Sequence, residues 1–469
     1  MAGSGTAHLR GNNGDLVLEV EHLVVEFPSR RGTVHAVSDI SFDLADRETL
    51  GLVGESGCGK STTGKAIMRV PPPTSGHVIL DGVDMSTLSA DEMRQVRGQL
   101  QMIFQDAISS LNPRLKIRDV VAEPLVVRWL DSFKRSPWTR WWQAYVPRML
   151  RWWRTPWLRK VVGPIIFAFF VGLIVWVIAT ALGDVNADGV RDGGAGSTVG
   201  NGLMIAAMVA ASPFVLFFVV TAAIWLVLTV GLPIAAIPRM IRLRRAKPAF
   251  EEATTAKVRE VLFDVGIDAD AAMERRPHEF SGGQAQRISI ARALVLDPKV
   301  IICDEPVSAL DVSVQAQVLN LLEDLKAKYG ISLMFIAHDL GVVKNISDQV
   351  VVMYLGKICE VAPPDDLFVH PRHPYTAILM SSIPVTDPSV DPREANTIQG
   401  ELPSPIAPPS GCRFRTRCPR VGDVCAVEEP MLRDMGGGQF VACHFPLERE
   451  APSEGREAQD VVGVATGGS

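Results

Sequence analysis

The chain is predicted to be an α/β protein in which parallel strands carry a phosphate-gripping loop and a pair of acids to one edge of a sheet. Three stretches of sequence predict it. The apolar run Thr49-Leu50-Gly51-Leu52-Val53 leads directly into Gly54-Glu55-Ser56-Gly57-Cys58-Gly59-Lys60-Ser61-Thr62, and Thr62 to Met68 reads as a helix start. A second apolar run, Val300-Ile301-Ile302-Cys303, ends in Asp304-Glu305-Pro306. Upstream of it, Phe280-Ser281-Gly282-Gly283-Gln284 places a capping serine and two glycines at the start of a predicted helix.

Each stretch has a chemical reading. Residues Gly54 to Ser61 fit the spacing G-x-x-x-x-G-K-[ST] in the strand–loop–helix setting that the motif needs. Glycines let backbone N–H groups approach phosphate oxygens, and a helix N-terminus adds partial positive charge. Lys60 is expected to reach the β- and γ-phosphates of a nucleotide, and Ser61 to place its hydroxyl on Mg²⁺. A hydrophobic strand that delivers carboxylates to its C-terminal end is how a parallel sheet presents charge to a ligand. Asp304 then holds Mg²⁺ through water, and Glu305 polarises the water that attacks the γ-phosphate. Ser281 can cap its helix while Gly282 and Gly283 leave N–H groups available to an anion.

Three further segments complete a set: Gln105 in Met102-Ile103-Phe104-Gln105-Asp106, Asp311 in Ser308-Ala309-Leu310-Asp311, and His338 in Ile336-Ala337-His338-Asp339. Together with the phosphate loop, the signature Ser281–Gln284 and the acids Asp304-Glu305, they resemble the ATPase subunits of ABC transporters, specifically those of the dipeptide/oligopeptide importers. The resemblance covers roughly residues 16–127 and 249–447. It implies a P-loop ATPase domain with a mixed sheet core and a helical subdomain that carries the signature. It implies a head-to-tail sandwich in which each ATP is cradled by one domain's phosphate loop and capped by the other's signature. In that arrangement Glu305 is the general base, His338 links it to the γ-phosphate, and Gln105 joins Mg²⁺ to the helical subdomain. Asp311 belongs to the D-loop. Phe27 or His35 would stack on adenine. The implied partners are a second ABC ATPase subunit (a paralogue), two permease subunits and an external solute-binding protein. The implied location is the cytoplasmic face of the cytoplasmic membrane. The chain holds no solute pocket, so an importer of the same family for nickel or glutathione is the alternative. An exporter half-transporter would carry a full membrane domain ahead of the ATPase. A non-transport ABC ATPase acting on ribosomes or DNA would carry paired ATPase units or a long coiled coil.

One segment departs from the family. The net charge of −5 conceals a split, because residues 128–248 hold 15 Lys/Arg and 4 Asp/Glu, a net of +11 against −16 elsewhere. All nine tryptophans fall between Trp129 and Trp225. The basic residues neighbour tryptophans and long apolar runs, which points to membrane rather than nucleic acid. Val161–Leu182 is 22 residues without a charge, long enough to span a bilayer. A second uncharged run, Leu203 to Pro238, supplies a second predicted span at about 213–237. Residues 128–160 carry nine basic side chains and one acid, and residues 239–247 carry five basic side chains and no acid. The connector 183–202 has three aspartates and one arginine. The positive-inside rule therefore places both ends of the hairpin in the cytoplasm. Trp141, Trp142, Trp152, Trp153 and Trp157, interleaved with arginines, read as an interfacial segment that touches lipid. Asp184-x-Asn186-x-Asp188 matches the first half of a calcium loop, but Ala195 occupies the position of the closing glutamate.

Of the seven cysteines, Cys58, Cys303 and Cys359 are scattered, whereas Cys412, Cys418, Cys425 and Cys443 cluster in one Gly/Pro-rich segment. Disulfides do not persist in the cytosol, so four thiols there suggest a metal site. Zinc takes four cysteines, although its usual C-x₂₋₄-C knuckle is absent. The importer resemblance, heralded by His373-Pro374-Tyr375 and Glu401-Leu402-Pro403-Ser404-Pro405, implies a [4Fe–4S] cluster, which also accepts four thiolates. The expected organisation is a flexible tail at 1–15, ATPase parts at 16–127 and 249–361 interrupted by the insertion 128–248, a C-terminal region at 362–447 and a second tail at 448–469.

Overall fold

The computed structural model describes residues 16–134, 232–381 and 400–448. The chain divides into two compact units. One comprises the residues up to Leu125 and those from Thr255 onward; the other is Val126–Thr254.

In the first unit the strands run β1 (Leu16–Ser29), β2 (Gly32–Ala45), β3 (Thr49–Val53), β4 (Ser75–Leu80), β5 (Val83–Asp84) and β6 (Leu100–Ile103). They continue with β7 (Val300–Asp304), β8 (Ser332–Ile336), β9 (Gln349–Tyr354), β10 (Lys357–Ala362), β11 (Arg433–Asp434) and β12 (Phe440–Val441). β1 and β2 form a long antiparallel hairpin in a four-stranded sheet of order β2-β1-β4-β5. The larger sheet has order β11-β12-β10-β9-β3-β8-β7-β6. Its centre is parallel, with β3 beside β8 and β9, and β7 between β8 and β6. Its far edge is antiparallel, so the sheet is mixed.

The three central strands β3, β7 and β8 are buried along their whole length. Continuous apolar strands of this kind belong to a parallel sheet covered on both faces. Because side chains alternate across a strand, each strand feeds two cores. Leu50, Leu52, Ile302, Met334 and Ile336 face the core shared with the β1/β2 hairpin and the helix Lys60–Ile67. Val53, Ile301, Cys303, Leu333 and Phe335 face the other, which is shared with the helices Gly282–Leu294 and Val312–Tyr329. Val120, Val121, Val258, Leu262 and Ile288 extend that second core into a helical layer. The register Leu52↔Ile336 and Cys303↔Phe335 sets the C-terminal ends of β3, β8 and β7 side by side.

The cysteine-rich segment is joined to this sheet. β12 pairs with β10 through Glu360↔Val441 and Val361↔Phe440. Buried Glu360 accepts hydrogen bonds from the N–H groups of Arg372 and His373 and from Gln439 Nε2, at 2.8–2.9 Å. Tyr354, Tyr375 and Phe414 bring their rings together at 4.8–5.3 Å between centroids, in a buried aromatic knot beneath the segment.

In the second unit Trp129 stacks on Phe250 with ring centroids 4.5 Å apart and planes 11° from parallel. Lys247 pairs with Glu251 one helical turn along, at 3.3 Å. The predicted span 161–182, the calcium-like connector and residues 213–231 of the second span lie outside the described residues. Among the described residues no helix is long and apolar enough to cross a membrane.

Candidate active site

β3 runs straight into the phosphate loop, and two of its glycines are required by close backbone approach. Gly54 has φ +149°, and a Cβ there would lie 2.2 Å from the Met353 carbonyl oxygen. Gly59 has φ +106°, and a Cβ there would lie 2.4 Å from the Ala36 carbonyl oxygen. No L side chain fits either position without moving backbone. Ser56 and Gly57 are exposed at the loop's crest, while Cys58 is buried beneath it. Lys60, the first residue of the helix Lys60–Ile67, is 5% exposed and folds back over the loop. Its Nζ donates to the carbonyl oxygens of Gly54 at 2.7 Å and Glu55 at 3.0 Å. The ammonium is thus held at the rim of the N–H groups that a polyphosphate would occupy.

The acids arrive at the end of β7, which β8 separates from β3. Ser61 Oγ donates to Asp304 Oδ1 at 2.6 Å. Glu305 leaves β7 with φ +49°, a left-handed conformation that costs energy for a residue with a Cβ and persists only where surroundings enforce it. Its N–H donates to the Ile336 carbonyl oxygen at 2.9 Å, which fixes the turn against β8. Glu305 Oε2 accepts from Gln105 Nε2 at 2.8 Å and lies 3.4 Å from His338 Nδ1. Glu305 is 16% exposed and His338 58%, so the oxygen opens toward solvent on the side of the histidine. A small concavity beside it is lined by Glu305, Ser308, Gln315, His338 and Val342. Behind it, burial and the Asp304 charge push the Cys303 thiol up to about 12, so it is an inert core group.

The signature is organised differently. Ser281 caps the helix Gly282–Leu294 in a reciprocal box with Gln284: the Ser281 N–H donates to Gln284 Oε1 at 3.1 Å and the Gln284 N–H to Ser281 Oγ at 3.4 Å. Ser281, Gly282 and Gln284 are exposed. A Cβ on Gly283 would meet Val314 Cγ1 at 2.6 Å, so this glycine also lets two helices approach. Among the described residues no hydrogen bond joins Ser281–Gln284 to Lys60, Asp304 or Glu305. Asp311 stands exposed at the N-cap of Val312–Tyr329 without bonding its own helix N–H groups through its side chain. Phe27 is 37% exposed on the hairpin, whereas His35 is bound to Glu26 Oε1 at 2.7 Å and donates its N–H to the Pro405 carbonyl oxygen at 3.0 Å.

Gln105, expected among the Mg²⁺ ligands with Ser61 and Asp304, donates through Nε2 to Glu305, one residue beyond Asp304. The Ser61 and Asp304 oxygens fit a magnesium ion: a hard cation in a phosphoryl-transfer site takes one or two protein oxygens and completes its shell with phosphate and water.

The four clustered cysteines are free thiols. The Cys412 N–H donates to the Cys425 carbonyl oxygen at 2.8 Å, and the Arg420 N–H to Cys418 Sγ at 3.4 Å. Burial pushes the thiols of Cys412 and Cys443 up to about 11, and the charges of Cys418 and Cys425 raise both further. Contrary to the expected ready-made ligand set, no group of three or more His, Cys, Asp or Glu among the described residues is arranged to hold a metal ion. Cys412 and Cys418 flank a single turn, Cys425 lies in the short helix Val424–Val427, and Cys443 follows β12.

Two contacts to the phosphate loop have no local sequence signal. Tyr375 Oη accepts the Glu55 N–H at 2.9 Å, and Arg417 Nη1 donates to both Glu55 carboxylate oxygens at 2.9 and 3.1 Å.

Comparison with known proteins agrees with this geometry. Residues 37–162 and 229–308 match the family described as ABC transporter, and residues 359–425 match the oligopeptide/dipeptide transporter C-terminal region. The oligopeptide transport ATP-binding protein OppF of Salmonella typhimurium is 39% identical over 427 residues, covering 89% of this chain and 92% of that protein. The OppF protein of Escherichia coli is 38% identical over the same shares. A putative oligopeptide transport ATP-binding protein of Bacillus subtilis, YkfD, is 36% identical over 94% of this chain and 98% of its own. The chain belongs to the ABC transporter ATP-binding subunits of the oligopeptide/dipeptide type, and its enzymatic class is that family's ATPase.

Proposed function

We propose that this chain is the ATP-hydrolysing subunit that energises uptake of dipeptides or oligopeptides across the cytoplasmic membrane. The observation that carries the reading is the convergence of Gln105 and His338 on the Glu305 Oε2 that follows Asp304, the partner of Ser61. In this mechanism the phosphate-loop N–H groups and Lys60 hold the β- and γ-phosphates. Ser61 Oγ and Asp304 Oδ1 would hold Mg²⁺, which when bound neutralises phosphate charge. Glu305 Oε2 takes a proton from water as the water oxygen bonds to the γ-phosphorus. The bond from that phosphorus to the bridging oxygen breaks, and ADP and phosphate result. His338 and Gln105 orient Glu305 and the γ-phosphate, so catalysis is positioning and charge stabilisation. Asp311 and the exposed Ser281–Gln284 are read as surfaces for a second ATPase subunit, a paralogue, whose nucleotide they cap. Two permease subunits and an external solute-binding protein complete the assembly, with this chain on the cytoplasmic side.

The insertion is read as a two-span hairpin that touches lipid. The family match is broken between residues 162 and 229, within the insertion. The Trp129–Phe250 stack, which draws its two ends together, supports the same reading. Release of the chain from membranes by carbonate would remove the hairpin from the account. The four cysteines are read as ligands of a [4Fe–4S] cluster, with zinc as the alternative. Support comes from the match of the segment that carries Cys412, Cys418 and Cys425 to the oligopeptide/dipeptide C-terminal region and from the backbone N–H donated to Cys418 Sγ. Iron and sulfide in anaerobically purified protein are the expected result; zinc alone would select the alternative.

The transport reading is tested by reconstituting the chain with its permease partners and solute-binding protein in proteoliposomes. ATP-dependent accumulation of an oligopeptide is expected. Accumulation of nickel or glutathione, with peptide excluded, would overturn the peptide assignment.

A further inference from the structure

Every polar group of Glu55 is committed. Its carbonyl oxygen accepts from Lys60 Nζ at 3.0 Å, its N–H donates to Tyr375 Oη at 2.9 Å, and both carboxylate oxygens accept from Arg417 Nη1. Two of these three anchors come from the C-terminal region, 320 and 362 residues further along the chain. Arg417 is 7% exposed on its side chain and Glu55 23%, so the pair is shielded far more than an ordinary surface salt bridge. The guanidinium is held in turn by Tyr354, whose hydroxyl lies 3.4 Å from Arg417 Nη1 and whose ring lies 5.8 Å from the guanidinium carbon. Tyr354 and Tyr375 both belong to the aromatic knot that includes Phe414. A polyphosphate bound on this loop lies beside a carboxylate at position 55, and an unneutralised carboxylate there repels it.

We propose that Arg417 and Tyr375 are positioning residues of the ATP site: they fix the phosphate loop through Glu55, and Arg417 offsets the Glu55 charge that would otherwise oppose nucleotide binding. The C-terminal region thereby forms a wall of the ATP site in its own chain, one residue from Cys418. The proposal rests on the reading of Gly54–Thr62 as the ATP site. It requires nothing of what the cysteines hold.

The test measures MgATP binding and the KM and kcat for ATP on the full chain in its assembly. Arg417→Gln is expected to raise KM by roughly tenfold, the scale of one hydrogen bond to a charged group. It should leave kcat nearly unchanged, because loop placement affects ground state and transition state alike. Adding Glu55→Gln to Arg417→Gln removes the repulsion and should recover most of the lost affinity. Arg417→Lys, which keeps the charge, should lie between the unmodified protein and Arg417→Gln. Should Arg417→Gln fail to fold, Tyr375→Phe removes only the hydroxyl and should raise KM by roughly threefold. Unchanged MgATP affinity in Arg417→Gln, or a double variant as weak as the single one, overturns the proposal while Lys60→Ala still abolishes binding. Unchanged binding in Lys60→Ala would bring down the ATP-site reading and the proposal with it.

Discussion

The hydrolytic centre and the signature are built on opposite plans. Around Glu305 the chain brings its own groups together: Gln105 from beyond β6, His338 from beyond β8, and the Ser61–Asp304 pair alongside. At Ser281–Gln284 the polar groups close on one another in a capping box and otherwise face solvent. The first region has its partners within the chain, and the second presents a finished but unpartnered surface. The difference is the one that the proposed head-to-tail pairing of ATPase domains would require, with each nucleotide held by one chain and capped by the other.

Variants can break that contrast. The largest effect is expected from Lys60→Ala, which removes the buried ammonium from the phosphate loop. Nucleotide affinity should fall by about 100-fold or more, the scale of a lost charged group in a desolvated site. Isothermal titration with MgATP checks it. Ser281→Arg should leave MgATP binding by the isolated chain intact yet reduce turnover of the assembled transporter by about 100-fold, as expected for loss of a preorganised donor set. If binding by the isolated chain fell as far as in Lys60→Ala, the two regions would not be separate halves.

Stability measurements sharpen the comparison further. His373 is 2% exposed, and burial lowers its pKa from 6.5 to about 3. Its ring accepts the Tyr375 N–H at Nδ1 at 3.0 Å and lies against Phe414. A base whose folded value is depressed contributes stability that is present above 6.5 and lost as pH falls toward about 3, because the unfolded chain takes the proton first. Urea unfolding across that window should show a loss on the order of several kcal/mol, and His373→Gln should flatten the slope. Gly283→Val places a Cβ against Val314 and should cost about 1–3 kcal/mol by overpacking, read as a lower melting temperature.

What could be read from the sequence follows the same division between local and distant. The phosphate loop, the strands β3, β7 and β8, and the helix at Ser281 each announce themselves within a dozen residues, because apolar runs, glycines and caps act locally. The hydrogen bond from Gln105 to Glu305 was not readable, since it depends on how β6 and β7 lie side by side. Nor was the clamp on Glu55 by Tyr375 and Arg417, which the aromatic knot and β10 bring across most of the chain. The cysteine spacing was plain, but the turn, the short helix and the strand end that carry the four thiols were not.

In the proposed mechanism Glu305 is the base, and the loop ahead of it holds ATP independently. Single-turnover hydrolysis by the assembled transporter carrying Glu305→Gln tests it most directly. MgATP should bind as in the unmodified protein while chemistry slows by about 100-fold to 10,000-fold. Hydrolysis at close to the unmodified rate would contradict it.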